Sequence, residues 1–303
     1  KLTPFNATIT EAVDHYVDHV LKFRAAPTVA IVLAEIVAAK RQNGRREKTI
    51  VSFRTRCERF AKSFGDRRLS SITPEEVRTW LTDETVHGGK LGPVSRVNYL
   101  VAIGNLFSYG VKHNYCDRNP AKLVDRPSRE SGDVHFLTVE QVVALLVHAE
   151  KHGLVPYVAL GVFAGLRPEK ELRALDWSKI NLAERTVRID ASLAKTRQRR
   201  VIEIDDALVT YLTPYAKRRG PVMDVDGQEF RKHWEDCRRD AGVTPWPHDV
   251  MRHTFATYHL AAHNDIGKLS LQMGNSPQVI HSAYKGLVSK ADAERFWNLR
   301  PAA

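Results

Sequence analysis

The 303-residue sequence has three cysteines, and Cys57, Cys116 and Cys237 are widely spaced with no C-x-x-C pair. That argues against a disulfide scaffold or a thiolate zinc site and fits a reducing, cytoplasmic setting. No apolar run approaches the roughly 18 residues that a membrane span needs. Internal repeats and low-complexity tracts are absent, which excludes solenoids and biased linkers. An aromatic-rich RNP-type segment and an OB signature are also missing, so a generic RNA-binding module has no support. The chain opens on Lys1 rather than methionine, as expected of a processed or trimmed product whose leader or upstream module would not be seen. A hydrophobic content of 43% with 27% charged residues excludes wholesale disorder, and the length suits two ordinary domains or one large one.

What the sequence does have is positive charge. Lys and Arg number 46 against 35 Asp and Glu, a formal net charge of +11. This permits a polyanionic partner, either nucleic acid or an anionic membrane surface. The excess is uneven: residues 1–130 hold 22 basic and 14 acidic side chains, whereas residues 131–303 hold 24 and 21. Between Lys40 and Lys62 lie nine basic residues, among them Arg41, Arg45, Arg46, Lys48 and Arg54, against only Glu47 and Glu58. Ile50, Val51, Phe53, Cys57, Phe60, Ala61 and Phe64 recur among them at helical spacing, so one face can pack while cations project from the others. A helix along a phosphate backbone and a merely solvated helix face both fit that pattern.

The first part reads as helices over about 9–23, 27–42, 46–64, 74–86 and 94–113. Thr73-Pro74-Glu75-Glu76 is a start signal, with Thr73 as N-cap, Pro74 at the first helical position and Glu76 closing a capping box. The polar, turn-rich stretch from Asn119-Pro120 to Gly132 is the expected boundary, giving domains 1–128 and 129–303. Thr138 caps a helix to about 151, and an apolar helix spans about 154–164. Residues 186–189 and 201–204 alternate as strands, and beyond residue 205 the pattern is helical to the end.

Four segments of the second domain carry chemistry together. Arg167 follows an apolar helix at the glycine-containing turn Ala164-Gly165-Leu166-Arg167, where its planar fork can meet a phosphate; Glu171 is placed to brace it. Lys195 lies between the two strands beside Arg197, Arg199 and Arg200, where an amine can protonate a leaving oxygen. His248 and Arg252 are four apart and share a helical face if the helix already includes His248. Asn275 and Tyr284 follow, nine residues apart. A tyrosine, with a pKa around 10, needs neighbouring cations before it can attack phosphorus.

In this order and spacing, Arg167, Lys195, His248/Arg252, Asn275 and Tyr284 resemble the catalytic set of the tyrosine recombinase (phage integrase) family of DNA breaking-and-rejoining enzymes. The resemblance implies a mainly α fold with a small antiparallel β-sheet: a helical core-binding domain that clamps DNA, then the catalytic domain with a C-terminal helix. It implies that Arg167 and Arg252 hold the scissile phosphate and that Tyr284 attacks it to leave a 3′-phosphotyrosyl link. Lys195 would protonate the departing 5′ oxygen, His248 would assist proton transfer, and Glu171 would brace Arg167. Arg41, Arg45, Arg46, Lys48, Arg54, Arg197 and Arg199 become candidate DNA contacts. No metal or nucleotide cofactor is implied, because the phosphotyrosyl bond conserves the energy of the broken one. The implied partners are double-stranded recombination sites and a homo-tetramer, a dimer of dimers exchanging the C-terminal helix. No membrane association is implied, and the location is cytoplasmic, nucleoid-associated when DNA is bound.

Three departures from the family pattern stand out. The acid expected three residues after Arg167 is Lys170, and Glu171 fits only with a one-residue insertion. His248 lies four before Arg252 instead of three, where Asp249 stands. Asn275 replaces the usual His or Trp; it can donate to a phosphate oxygen but cannot carry charge. These departures keep a second reading open, a catalytically weak integrase acting as a sequence-specific DNA-binding protein. A type IB topoisomerase is a third, sharing the chemistry. His253, His259 and His263 share one helical stretch without an H-E-x-x-H pattern or a nearby cysteine, which argues against zinc. Ser289 to Trp297 reads as a capped helix with exposed apolar residues Phe296 and Trp297, which either dock into a neighbouring protomer or pack on their own domain.

Overall fold

The structure is a computed structural model that describes residues 8–17, 25–127, 134–194, 198–284 and 286–301. The chain divides into two compact units, Lys1–Ser131 and Gly132–Ala303.

In the first unit the described helices are α1 (Ile9–His15), α2 (Val29–Gln42), α3 (Glu47–Phe64), α4 (Pro74–Thr82), α5 (Glu84–His87) and α6 (Pro93–Lys112). The expected helix over 74–86 is broken at Asp83. There the backbone is extended and the carboxylate caps the short α5 by accepting from the amides of Thr85 and Val86. The Thr73/Glu76 capping box forms as the sequence predicts. Ile50, Phe53, Cys57 and Phe60 form the buried face of α3, while Val51, at 40% exposure, lies outside it. Phe60 anchors the core, its ring 4.7 Å from Phe64, 5.2 Å from Trp80 and 6.3 Å from Phe107.

The basic stretch from Lys40 to Lys62 is not one helix. It runs from the end of α2 through a turn, with Gly44 left-handed at φ 63°, into α3. Arg41, Arg45 and Lys48 are exposed, and Arg46 and Arg54 are half-buried. Arg41 pairs with Glu47 at 3.4 Å and Arg54 with Glu58 at 3.5 Å.

The second unit contains α7 (Val139–Lys151), α8 (Val155–Ala164), β1 (Ile180–Asn181), β2 (Thr186–Ile189), β3 (Arg200–Glu203), α9 (Asp206–Leu212), α10 (Gly227–Asp240), α11 (Val250–His263), α12 (Ile266–Met273), α13 (Pro277–Tyr284) and α14 (Lys290–Trp297). Every residue of α8 is buried, as its all-round apolar sequence requires, and it forms the spine of the unit. At Gly161, α8 meets α11 so closely that a Cβ would fall 2.7 Å from the Met251 sulfur. The sheet is antiparallel in the order β1-β2-β3, with Val187 opposite Ile202 and Ile189 opposite Arg200. β1 has only two residues, too few for an alternating pattern to announce it.

The exposure expected of the last helix does not hold. Phe296 is fully buried, its ring stacked 4.2 Å from Tyr258 at 3°. Trp297 is half-buried and donates from Nε1 to the Tyr258 carbonyl at 3.3 Å. Ala293, Phe296 and Trp297 recur at three- and four-residue spacing, so they form one apolar stripe laid against α11 of the same unit.

Candidate active site

Three segments of the second unit converge on one cluster of charged side chains. The first is the turn after α8. Gly165 caps the helix at φ 62°, and a Cβ there would lie 2.4 Å from the Phe255 ring, so both the backbone and the space demand glycine. The Gly165 carbonyl, free of the helix ladder, accepts from Arg252 Nη1 at 2.6 Å. Beyond it, the amides of Leu172 and Arg173 donate to carbonyls five residues back, those of Arg167 and Pro168, at 3.1 and 3.3 Å. This wide turn absorbs the extra residue between Arg167 and its acid. It returns Glu171 onto Arg167, accepting from the backbone amide and from Nη1, each at 2.9 Å.

The second segment is β3. Arg200 grips the other side of Glu171 with both ends of its fork, at 2.9 and 2.6 Å, and donates from Nε to the Gln272 carbonyl at 2.7 Å. Glu171 is completely buried between the two guanidinium groups. Burial pushes its carboxyl up, but the hydrogen bonds and charge of Arg200, with Arg167 behind them, outweigh that and hold it below the usual carboxylate range.

The third segment joins α11 to the α12–α13 turn. Arg252 is nearly buried and spends its fork on the carbonyls of Gly165 and Met273 and on Asn275 Oδ1 at 3.1 Å. Arg167 Nη2 donates to the same Asn275 oxygen at 3.3 Å. Ser270 holds this turn by donating to the Asn275 carbonyl at 2.6 Å. Burial, with the charge of Arg167, pushes the Arg252 pKa down to about 9, against the pull of Glu171; the group stays charged at pH 7. Arg167, Arg200 and Arg252 face one carboxylate, so the cluster carries two surplus positive charges. An open groove lined by Arg199, Arg200, Leu271, Gly274 and Asn275 runs beside it.

Tyr284 ends α13 with its side chain buried and its hydroxyl 2.7 Å from Nδ1 of His253. Burial raises the Tyr284 pKa, the Arg252 charge works against that rise, and Asp249 adds to it. Burial lowers the His253 pKa despite the opposing carboxylate of Asp249, so the imidazole is neutral at pH 7.

His248 is not brought to the cluster. Its side chain is 93% exposed, with Nδ1 lying 3.4 Å from the Asp249 carboxylate. The shared helical face would need a helix that already includes His248, but α11 starts at Val250 and Asp249 before it is left-handed at φ 55°. His248 thus lies outside the periodicity and turns to solvent. Lys195 and Arg197 lie outside the described residues, and Arg199 is exposed.

Two members of the site were not singled out from the sequence. Arg200 had a legible signal, because strand alternation places it on the same side as the buried Ile202. His253 shares a helical stretch with His259 and His263, yet its six-position offset from His259 turns it about a third of a turn away round the helix. The His259 and His263 rings lie 4.5 Å apart, tilted at 57°, and burial pushes the His259 pKa down to about 3. Among the described residues, no group of three or more His, Cys, Asp or Glu side chains is arranged to hold a metal ion, and no helix is long and apolar enough to cross a membrane.

Residues 135–285, about half of the chain, match the phage integrase family, and the chain belongs to these tyrosine recombinases. Over 228 residues it is 24% identical to tyrosine recombinase XerD of Staphylococcus aureus, spanning 67% of this chain and 75% of the relative. It is also 22% identical to an Escherichia coli protein described as putative defective protein IntQ, over 83% of this chain and 78% of that one. Among solved structures it shares its fold with a lambda integrase (75–356) dimer bound to a COC′ core site, at a TM-score of 0.68 and 14% identity, covering 86% of this chain and 97% of the other. The Tn1549 transposon integrase in complex with circular intermediate DNA matches at a TM-score of 0.65 and 14% identity, covering 89% and 99%.

Proposed function

We propose that this protein is a site-specific DNA recombinase that cuts and rejoins duplex DNA through a 3′-phosphotyrosyl link at Tyr284. The observation that carries the reading is the convergence of Arg167 and Arg252 on Asn275 Oδ1, with the Tyr284 hydroxyl held in the same unit. A phosphodiester displacing that amide oxygen meets two guanidinium groups braced from behind, the preorganised positive field that a pentacoordinate phosphorus needs. Arg167 and Arg252 bind the phosphate, Asn275 adds a neutral hydrogen bond, Glu171 and Arg200 hold Arg167 in place, and Lys195 protonates the departing 5′ oxygen. The DNA-bound structural relatives support double-stranded DNA as the partner. The exposed cations of the first unit, Arg41, Arg45 and Lys48, supply a backbone grip. Exchange of two duplexes calls for four protomers, and α14 would have to leave its own unit to link them.

A nicked suicide site tests the reading, because cleavage there releases the short fragment bearing the 5′-hydroxyl and traps the covalent adduct. Adduct on the wild-type protein and none on Tyr284→Phe is the expected outcome. A weakly active DNA-binding protein is the second reading, favoured by Asn275 and the exposed His248. Sequence-specific binding without adduct would establish it, and relaxation of supercoiled DNA without site preference would point instead to a type IB topoisomerase.

A further inference from the structure

We propose that His253 is the catalytic base for Tyr284, taking the phenol proton as the tyrosine oxygen attacks phosphorus. The inference rests on the reading of Tyr284 as nucleophile. Its basis is the 2.7 Å contact between His253 Nδ1 and the Tyr284 oxygen, made inside the unit between α11 and the end of α13. Among the described residues His253 is the one hydrogen-bond partner of the Tyr284 hydroxyl. A neighbour must both accept that bond and have capacity for a proton. A neutral imidazole does both, whereas the arginines can only donate. Placement by the helix is rigid: the His253 amide donates to the Asp249 carbonyl at 2.9 Å, and the adjacent Arg252 is pinned by two backbone carbonyls. One turn of α11 therefore supplies a phosphate clamp from one residue and a base from the next.

In the cleavage step the Tyr284 oxygen bonds to phosphorus, its O–H bond breaks, and the proton moves to Nδ1 to give imidazolium. The P–O5′ bond breaks and the departing oxygen is protonated by a separate acid. Rejoining reverses this: the 5′-hydroxyl attacks phosphorus, losing its proton to that acid's conjugate base, and the imidazolium returns its proton to the tyrosine oxygen. The groups that set the titration of His253 are Asp249, Arg252 and His248 from around the start of α11, and His135 from the segment before α7; Tyr284 of α13 faces it directly. Burial disfavours the imidazolium, Asp249 favours it and the Arg252 charge opposes it, so the base form prevails at neutral pH.

Single-turnover cleavage of a suicide site, followed across pH, tests the assignment. In the wild type the rate should fall about tenfold per pH unit once His253 is protonated. His253→Gln should bind DNA as the wild type does, cleave on the order of 100- to 1000-fold more slowly and lose that acid limb. A second measurement does not depend on that variant folding: fluorotyrosine placed at position 284 lowers the phenol pKa. The acid limb should stay where it is if it belongs to His253, and it should move with the phenol if it belongs to the tyrosine. Wild-type cleavage by His253→Gln, or an acid limb that follows the fluorotyrosine, overturns the role of His253 and leaves Tyr284 as nucleophile. An adduct that survives Tyr284→Phe overturns the underlying reading as well.

Discussion

Arg167 and Arg252 lie 85 positions apart in the chain yet donate to one atom, Asn275 Oδ1, at 3.3 and 3.1 Å. The neutral amide occupies the seat an anionic oxygen would take. Asn275→Asp should therefore stabilise the free protein, because hydrogen bonds to charged groups contribute about 1.5–3 kcal/mol. It should also slow cleavage by on the order of 100-fold or more, since a fixed carboxylate repels the phosphate. Thermal melting and single-turnover cleavage measure the two effects. A variant that melts lower and cleaves normally would place the phosphate elsewhere.

Glu171 sits buried between Arg167 and Arg200, and Glu171→Gln keeps its shape while leaving two guanidinium groups facing each other. The expected loss is about 3–5 kcal/mol, read by urea denaturation. The pH dependence has a definite sign. The folded pKa lies below the ordinary value of 4.5, so the stabilisation is complete above that value and disappears as pH falls through the folded one. Glu171→Gln should remove this acid-range slope.

His259 makes the opposite use of burial. Its folded pKa near 3 lies below the ordinary 6.5, so the unfolded chain binds the proton first. Stability is then complete above 6.5 and falls by about 1.4 kcal/mol per pH unit on the way down to the folded value. Urea midpoints between pH 6.5 and 4 should show this slope, and His259→Phe should flatten it.

Phe296 stacks on Tyr258 within its own unit, so Phe296→Ala should cost about 3–5 kcal/mol in the isolated protein. Unchanged denaturation of the monomer would mean that α14 is not docked on its own unit in solution.

The two populations of cations should separate by assay. Neutralising Arg45 and Arg46 together should weaken DNA binding and lower the salt slope by about two. Arg167→Ala should stop cleavage and leave binding largely intact. Gel shifts over a salt series distinguish them, and equal losses of binding would refute the division.

The legible parts of this chain follow local rules. Thr73 with Glu76, Thr138 with Gln141 and Ser289 with Asp292 are short-range caps, and each forms where its spacing says. The order of Arg167, Arg252, Asn275 and Tyr284 also survives in sequence, because chemistry constrains residue type. What was hidden depends on backbone detail or on distant packing. Left-handed Asp249 moves the start of α11 past His248, a shift of one residue that spacing alone cannot register. The i to i−5 turn that brings Glu171 onto Arg167 is equally invisible in a motif. His253 and Tyr284 are 31 positions apart and meet only because α13 folds back beside α11. Phe296 looked exposed because its partner, Tyr258, comes from another helix.

The most direct test of the account is recovery of the covalent intermediate from a suicide duplex and mapping of the DNA-linked peptide by mass spectrometry. The account predicts a single 3′-phosphoryl linkage on Tyr284, absent from Tyr284→Phe and from Arg252→Ala. A linkage on any other residue, or no linkage on a site the protein binds specifically, would contradict it.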